Sequence, residues 1–96
     1  MTLAESLDAR RDDIVRIARE HGAQNVRLFG SAVSGQETPT SDVDLLVEFE
    51  PGRSLLDVVA ISQDLEDLLG RKVDVVNERS LHWYLRDRIL TQARPL

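Results

Sequence analysis

The run Asp42-Val43-Asp44-Leu45-Leu46-Val47-Glu48-Phe49 constrains this chain more than any other stretch. Its branched and aromatic residues suit a pleated strand, read here over about residues 42–50 and ended by Pro51-Gly52. Side chains alternate along a strand, so Asp42, Asp44, Leu46 and Glu48 share one face, and Val43, Leu45, Val47 and Phe49 share the other. Two carboxylates at i and i+2 therefore point the same way. They could be solvated charges at a strand start. Asp44, however, lies two residues into an apolar run, where a carboxylate without a partner is costly.

Ten residues upstream stands Gly30-Ser31, directly after Val26-Arg27-Leu28-Phe29, which reads as a first strand over about 25–29. Glycine permits close approach of the backbone to a ligand, and serine offers an amide and a hydroxyl to phosphate oxygens. A phosphate holder and paired hard-oxygen ligands together suggest Mg²⁺-dependent phosphoryl or nucleotidyl transfer. In such chemistry one metal neutralises the triphosphate and helps pyrophosphate leave, while a second lowers the pKa of the attacking hydroxyl. Asp74 is the third candidate, because it interrupts the apolar run Val73-Asp74-Val75-Val76. If that strand lies beside the second one, Asp74 joins Asp42 and Asp44, ligates the second metal and takes the nucleophile's proton. The alternative is an edge strand with Asp74 facing water.

Ninety-six residues are enough for one domain, expected to span 1–96, with a modest core. Apolar residues make up 42% and charged residues 30%, which excludes a disordered chain. The absence of cysteine excludes disulfides, thiolate metal sites and cysteine nucleophiles. No apolar stretch reaches the length of a membrane span, and the acidic N-terminus does not resemble a signal peptide, so a cytoplasmic location is expected. The net charge of −5 is uneven: residues 1–70 carry −8 and residues 71–96 carry +3. A free nucleic-acid binder normally presents a basic face. The dipolar chain fits a protein partner better.

Around these strands the pattern predicts helices. Thr2-Leu3-Ala4-Glu5 has the form of a capping box, and Leu3, Leu7, Ile14, Ile17 and Ala18 form one stripe of a helix reaching His21, stopped by Gly22. The breaker-rich segment 30–41 is expected to connect the first two strands, with a short helical turn at its start. Ser54 caps a second helix with Asp57 in its first turn; Leu55, Val58, Val59, Ser62, Leu65 and Leu69 are its expected buried stripe, and Gly70 closes it. Lys72–Val76 is the third strand. Ser80 then caps a last helix with Leu81, Leu85 and Ile89 inward, ended by Pro95. The order predicts an α+β (mixed α/β) domain: a small mixed sheet flanked by helices. His21 and His82 have no partner pattern and read as structural or surface residues. Trp83 and Tyr84 read as core or interface packing ahead of base stacking, and Arg86 and Arg88 face either phosphates or solvent.

Leu28-Phe29-Gly30-Ser31, Ser41-Asp42-Val43-Asp44-Leu45-Leu46-Val47 and Gly70-Arg71-Lys72-Val73-Asp74-Val75-Val76 resemble the minimal nucleotidyltransferases, a branch of the DNA polymerase β-like superfamily. The likeness runs along nearly the whole chain. It implies the nucleotidyltransferase fold, two Mg²⁺ ions and a nucleoside triphosphate, most often ATP. Gly30 and Ser31 match the phosphate-binding pair, Asp42 and Asp44 the metal ligands, and Asp74 the third catalytic and metal-binding carboxylate. Members of this branch often act as antitoxins beside a HEPN-domain ribonuclease toxin, and active ones transfer AMP to a toxin tyrosine. Many relatives read Gly-Ser-x-Ala-Arg-Gly where this chain has Gly30-Ser31-Ala32-Val33-Ser34-Gly35, so a guanidinium that could hold phosphate charge is missing.

The resulting expectation is a protein adenylyltransferase acting as antitoxin, with Asp74 activating the tyrosine. A second reading is an antitoxin that blocks its partner by contact alone. A third is a small-molecule nucleotidyltransferase, which would usually need an additional substrate-binding domain.

Overall fold

The computed structural model describes residues 3–30 and 42–96. Their elements, in chain order, are α1 (Leu3–Ala9), α2 (Arg11–Glu20), β1 (Ala23–Phe29), β2 (Val43–Phe49), α3 (Leu55–Leu69), β3 (Val73–Asn77), a 3₁₀ turn (Glu78–Ser80), α4 (Trp83–Gln92) and β4 (Arg94–Pro95). The expected cap at Thr2 and the connection through Ser31, Ser34 and Gly35 lie outside the described residues.

The strands form one mixed sheet in the order β3-β2-β1-β4. β1 runs antiparallel to β2 and to β4, and β2 runs parallel to β3. A parallel neighbour requires a crossover, and α3 supplies it. The crossover is sharply delimited. Ser54 Oγ accepts from the Leu56 amide at 3.2 Å, while the Ser54 amide donates to Asp57 Oδ2 at 2.9 Å. At the other end Gly70 takes a left-handed φ of 69°, and its amide donates to the Glu66 carbonyl at 2.8 Å. The cap and stop residues thus behave as the sequence suggests.

The core forms where the helices cover one sheet face. Leu7, Ile14, Ile17 and Ala18 meet Val26 and Leu28 of β1, Val43, Leu45, Val47 and Phe49 of β2, Ile61 and Leu65 of α3, and Val73 and Val75 of β3. The alternation expected for β2 holds on this face. Fully burying each such aliphatic side chain contributes about 1.5–3 kcal/mol relative to leaving it exposed. The opposite face carries Arg27, Phe29, Asp44, Leu46, Glu48, Asp74 and Val76, placed by the pleat and the register. Leu46 is fully buried there as well. Among the described residues no helix is long and apolar enough to cross a membrane.

Four features differ from the sequence reading. The first helix is broken at Arg10, whose φ and ψ of −109° and 16° leave the helical region. Arg10 bonds the Leu68 carbonyl near the end of α3 and Arg11 bonds the Leu96 carbonyl, contacts 58 and 85 residues away that no local pattern reveals. In α3 the buried residues are Ile61 and Leu65, whereas Leu55 and Val59 face outward. The last helix is capped at His82 and not at Ser80, which ends the 3₁₀ turn; none of its residues is buried, and Leu85 is exposed. Pro95 does more than end that helix: it belongs to β4, pairing opposite Arg27.

β1 also contains a bulge. Its register with β2 shifts between Gln24 and Arg27, and Asn25 has φ 54°. Asparagine tolerates this left-handed conformation better than most residues. Its Nδ2 donates to Glu48 Oε2 at 2.8 Å, fixing the bulge to β2. Beyond the bulge, Phe29 falls opposite Asp44.

Candidate active site

The site is built on the ends of three adjacent strands. β2 begins where the Val43 amide donates to the Lys72 carbonyl at 2.9 Å, which locks β2 to β3 from the first residue. In this register Val43 pairs with Val73 and Asp44 with Asp74. Directly opposed residues of neighbouring strands point to the same face, so Asp44 and Asp74 lie side by side. Asp42 precedes β2 by one residue and lies close enough for its charge to act on Asp44.

β1 brings Gly30 to the same place. Phe29 opposes Asp44, and Gly30 follows with φ 72°. A Cβ built on Gly30 would overlap the Asp44 carboxylate. The left-handed backbone favours glycine there, and any Cβ would displace the Asp44 carboxylate. Sequence reasoning assigned Gly30 to a phosphate; the structure adds that its bare backbone borders Asp44.

Electrostatics single out Asp44. It is half-buried, whereas Asp42 and Asp74 are exposed. Its pKa is raised above the usual carboxylate value, first by burial, then by the neighbouring charge of Asp74, then by that of Asp42. All three predicted carboxylates thus belong to one field. Asp74 is exposed on an edge strand, as the alternative reading of that strand expects, yet it stands beside Asp44 in the register. Ser31 lies outside the described residues.

This donor set suits Mg²⁺. Carboxylate oxygens are hard ligands, and the mutual repulsion that lifts Asp44 is what a divalent cation relieves. No group of three or more acidic, histidine or cysteine side chains among the described residues converges into a ready-made metal cluster. Magnesium seldom demands one, since one or two carboxylates usually share it with substrate phosphates and water. Asp42, Asp44 and Asp74 are the candidate side chains for such shared binding.

A support on the same face is not evident from local sequence pattern. Arg27, one residue before Leu28 of the core, bonds Glu78 Oε2 at 3.1 Å, and Arg86 of α4 bonds Glu78 Oε1 at 3.4 Å. Glu78 is only 13% exposed and its contact with Arg27 is partly buried, whereas Arg86 reaches it from the exposed side. Arg27 lies opposite Leu46, two residues from Asp44 on the same strand face. The signal was an arginine inside the apolar run Val26–Phe29. His21 plays the structural part expected of it: its Nε2 meets Asp64 Oδ2 at 2.7 Å, joining the end of α2 to α3.

Known proteins share this fold. Residues 11–96 match the nucleotidyltransferase domain family. A candidate protein adenylyltransferase of Methanocaldococcus jannaschii is 45% identical over 80 residues, spanning 83% of this chain and 86% of the relative. A solved structure of a candidate minimal nucleotidyltransferase superposes with TM-score 0.87 at 47% identity, covering 100% of this chain and 97% of that one. A toxin–antitoxin crystal structure with AMP-PNP superposes with TM-score 0.75 at 27% identity, covering 88% of this chain and 69% of that one. With a mixed α+β fold of the same kind and acidic residues gathered at one end of its sheet, the chain belongs to the nucleotidyltransferase domain family.

Proposed function

We propose that this chain is a Mg²⁺-dependent protein adenylyltransferase, moving AMP from ATP to a tyrosine hydroxyl of a HEPN-domain ribonuclease toxin and acting as its antitoxin. The observation that carries the reading is the in-register pairing of Asp44 with Asp74 beside the backbone of Gly30. Its relatives support the direction: one is named as a candidate protein adenylyltransferase, and one structural neighbour is a toxin–antitoxin structure with AMP-PNP.

In this account Gly30 and Ser31 hold the β- and γ-phosphates, and Gly30 leaves no side chain between them and Asp44. Asp42 and Asp44 hold Mg²⁺, with Asp74 completing the carboxylate set. When bound, Mg²⁺ neutralises triphosphate charge and acidifies the acceptor hydroxyl. The tyrosine oxygen forms a bond to the α-phosphorus, the bond from that phosphorus to the bridging oxygen breaks, and pyrophosphate leaves. The hydroxyl proton passes to the Asp74 carboxylate, which is exposed and so open to an acceptor. Asp44 has the opposite character: half-buried and pressed by two like charges, it is suited to hold a cation and less to shuttle protons to solvent.

The test is incubation with ATP labelled at the α-phosphate, Mg²⁺ and the product of the adjacent gene. Label on a tyrosine of that product, absent with Asp42→Asn/Asp44→Asn, supports the proposal. Toxin neutralisation that survives the double substitution would instead mean inhibition by contact.

A further inference from the structure

The carboxylate end of the sheet carries a cation that the proposed chemistry does not use. Lys72 is the only lysine of the chain and immediately precedes β3. Its backbone is fixed there: the Lys72 carbonyl accepts the Val43 amide at 2.9 Å, and the left-handed Gly70 ends α3 two residues earlier. Val73 is buried in the core, while Lys72 and Asp74 on either side of it are exposed. Both therefore leave the chain on the side of the sheet away from the core, the side of Asp44. Val43 pairs with Val73, so the residues just before them, Asp42 and Lys72, stand across from each other at about one strand spacing, ~4.8 Å. The ammonium is uncommitted. Among the described residues the Lys72 side chain has no hydrogen bond or ion pair. Arg27, on the same sheet face, is held by Glu78. Residues 31–41, which follow the glycine of the phosphate turn, include neither lysine nor arginine. Protein cations for the triphosphate have to come from outside that segment.

We infer that Lys72 binds the α-phosphate of the nucleotide and stabilises the charge on its oxygens while the acceptor attacks. This rests on the transferase reading above and adds a catalytic residue to it. The order of strands across the site decides which phosphate the lysine meets. Gly30 follows β1, Asp42 and Asp44 belong to the start of β2, and Lys72 leads into β3 on the far side. About 10 Å, two strand spacings, separates the first line from the third. In the proposed arrangement the β- and γ-phosphates lie at Gly30 and the cation lies over the β2 acids. The phosphate chain then runs toward β3 and brings its α end to Lys72. A lysine suits that place, because its ammonium acts on phosphate as a mobile point charge and needs no bidentate geometry. Negative charge on the nonbridging oxygens is met most strongly where it develops in the transition state.

The experiment reads the lysine itself, apart from transfer. Protein carrying carbon-13 at lysine Cε gives a single lysine signal, since the chain has no other lysine. Mg²⁺ with α,β-methylene ATP, which cannot release pyrophosphate, should shift that signal, and Mg²⁺ with pyrophosphate, which has no α-phosphate, should leave it in place. In parallel, Lys72→Met should lower the rate of transfer at saturating ATP by at least about tenfold, with part of the rate restored in Lys72→Arg and the melting temperature unchanged in both. A signal unmoved by saturating analogue overturns the inference, as does a Lys72→Met protein that transfers as fast as wild type. An equal shift with pyrophosphate would place the ammonium at the other end of the triphosphate and overturns the α-phosphate assignment. A lowered melting temperature in Lys72→Met, with no rescue by arginine, would mean a structural role and overturns it too. A shifted lysine signal in a wild type that labels no partner contradicts the transferase reading and supports the lysine contact. Transfer by wild type with an unmoved signal contradicts only the lysine.

Discussion

Asp44 and Asp74 are register partners on parallel neighbouring strands, so their side chains leave the sheet together. The relationship concentrates negative charge at a half-buried position, and burial and repulsion both raise the Asp44 pKa above its ordinary value of 3.8. The folded state thus binds this proton more tightly than the unfolded chain. Stability contributed by the group is lost as pH rises from 3.8 through the raised folded value.

Asp44→Asn is therefore expected to raise the melting temperature at neutral pH while abolishing transfer. The thermal gain should vanish below pH 3.8, where Asp44 is protonated folded and unfolded alike. Melting curves at pH 7 and pH 3 decide this; a variant that is less stable than wild type at pH 7 contradicts the strained-carboxylate account.

Mg²⁺ should act on the same strain. Millimolar MgCl₂ is expected to raise the wild-type melting temperature at neutral pH by binding the folded state alone. The rise should shrink in Asp44→Asn. Equal Mg²⁺-induced shifts in the two proteins would place the cation elsewhere.

Gly30→Ala adds a Cβ to a backbone at φ 72° and drives it into the Asp44 carboxylate. The left-handed conformation alone costs about 1–2 kcal/mol, which lowers the melting temperature of a domain this size by about 4–8 °C per kcal/mol. Transfer should fall at least about tenfold, since the barrier needs only ~1.4 kcal/mol more. Full activity in a stable Gly30→Ala protein would remove Gly30 from the site.

Ser54→Ala separates stability from chemistry. It deletes the hydroxyl that accepts the Leu56 amide, so a loss of about 1 kcal/mol is expected. The rate of transfer should not change, because the cap lies at the start of α3 and not among the carboxylates.

Glu78→Ala tests the tether. It leaves Arg27, 27% exposed, without its partner and releases Arg86. A cost of about 1–3 kcal/mol is expected from the unpaired group, with faster amide hydrogen exchange in α4. Unaltered exchange would show that α4 is held by other contacts.

The parts of this fold legible in the sequence are those set by neighbours along the chain. Ser54 and Asp57 close a capping box within one helical turn, Gly70 supplies a left-handed stop, and Val43 through Phe49 alternate as a strand must. Gly30, Asp42, Asp44 and Asp74 were legible as candidates because carboxylates and glycine stand out against apolar strands. What was not legible depends on distant partners. Arg10 breaks the first helix toward Leu68, and Arg94-Pro95 becomes a strand only because β1 offers an edge. Asn25 absorbs a bulge that its sequence neighbours do not announce. In α3 the choice between Leu55 and Ile61 for burial depends on where the helix meets the sheet. Trp83 and Tyr84, read as core or interface packing, stand outside the core, because α4 packs on the sheet without burying any of its side chains.

The most direct test of the central claim is transfer of α-phosphate label from ATP to the adjacent gene product by wild type and by Asp42→Asn/Asp44→Asn. The account predicts Mg²⁺-dependent label on a tyrosine with wild type and none with the double variant at equal folded concentration. Label that persists in the double variant, or that is absent with wild type at saturating ATP and Mg²⁺, would contradict it.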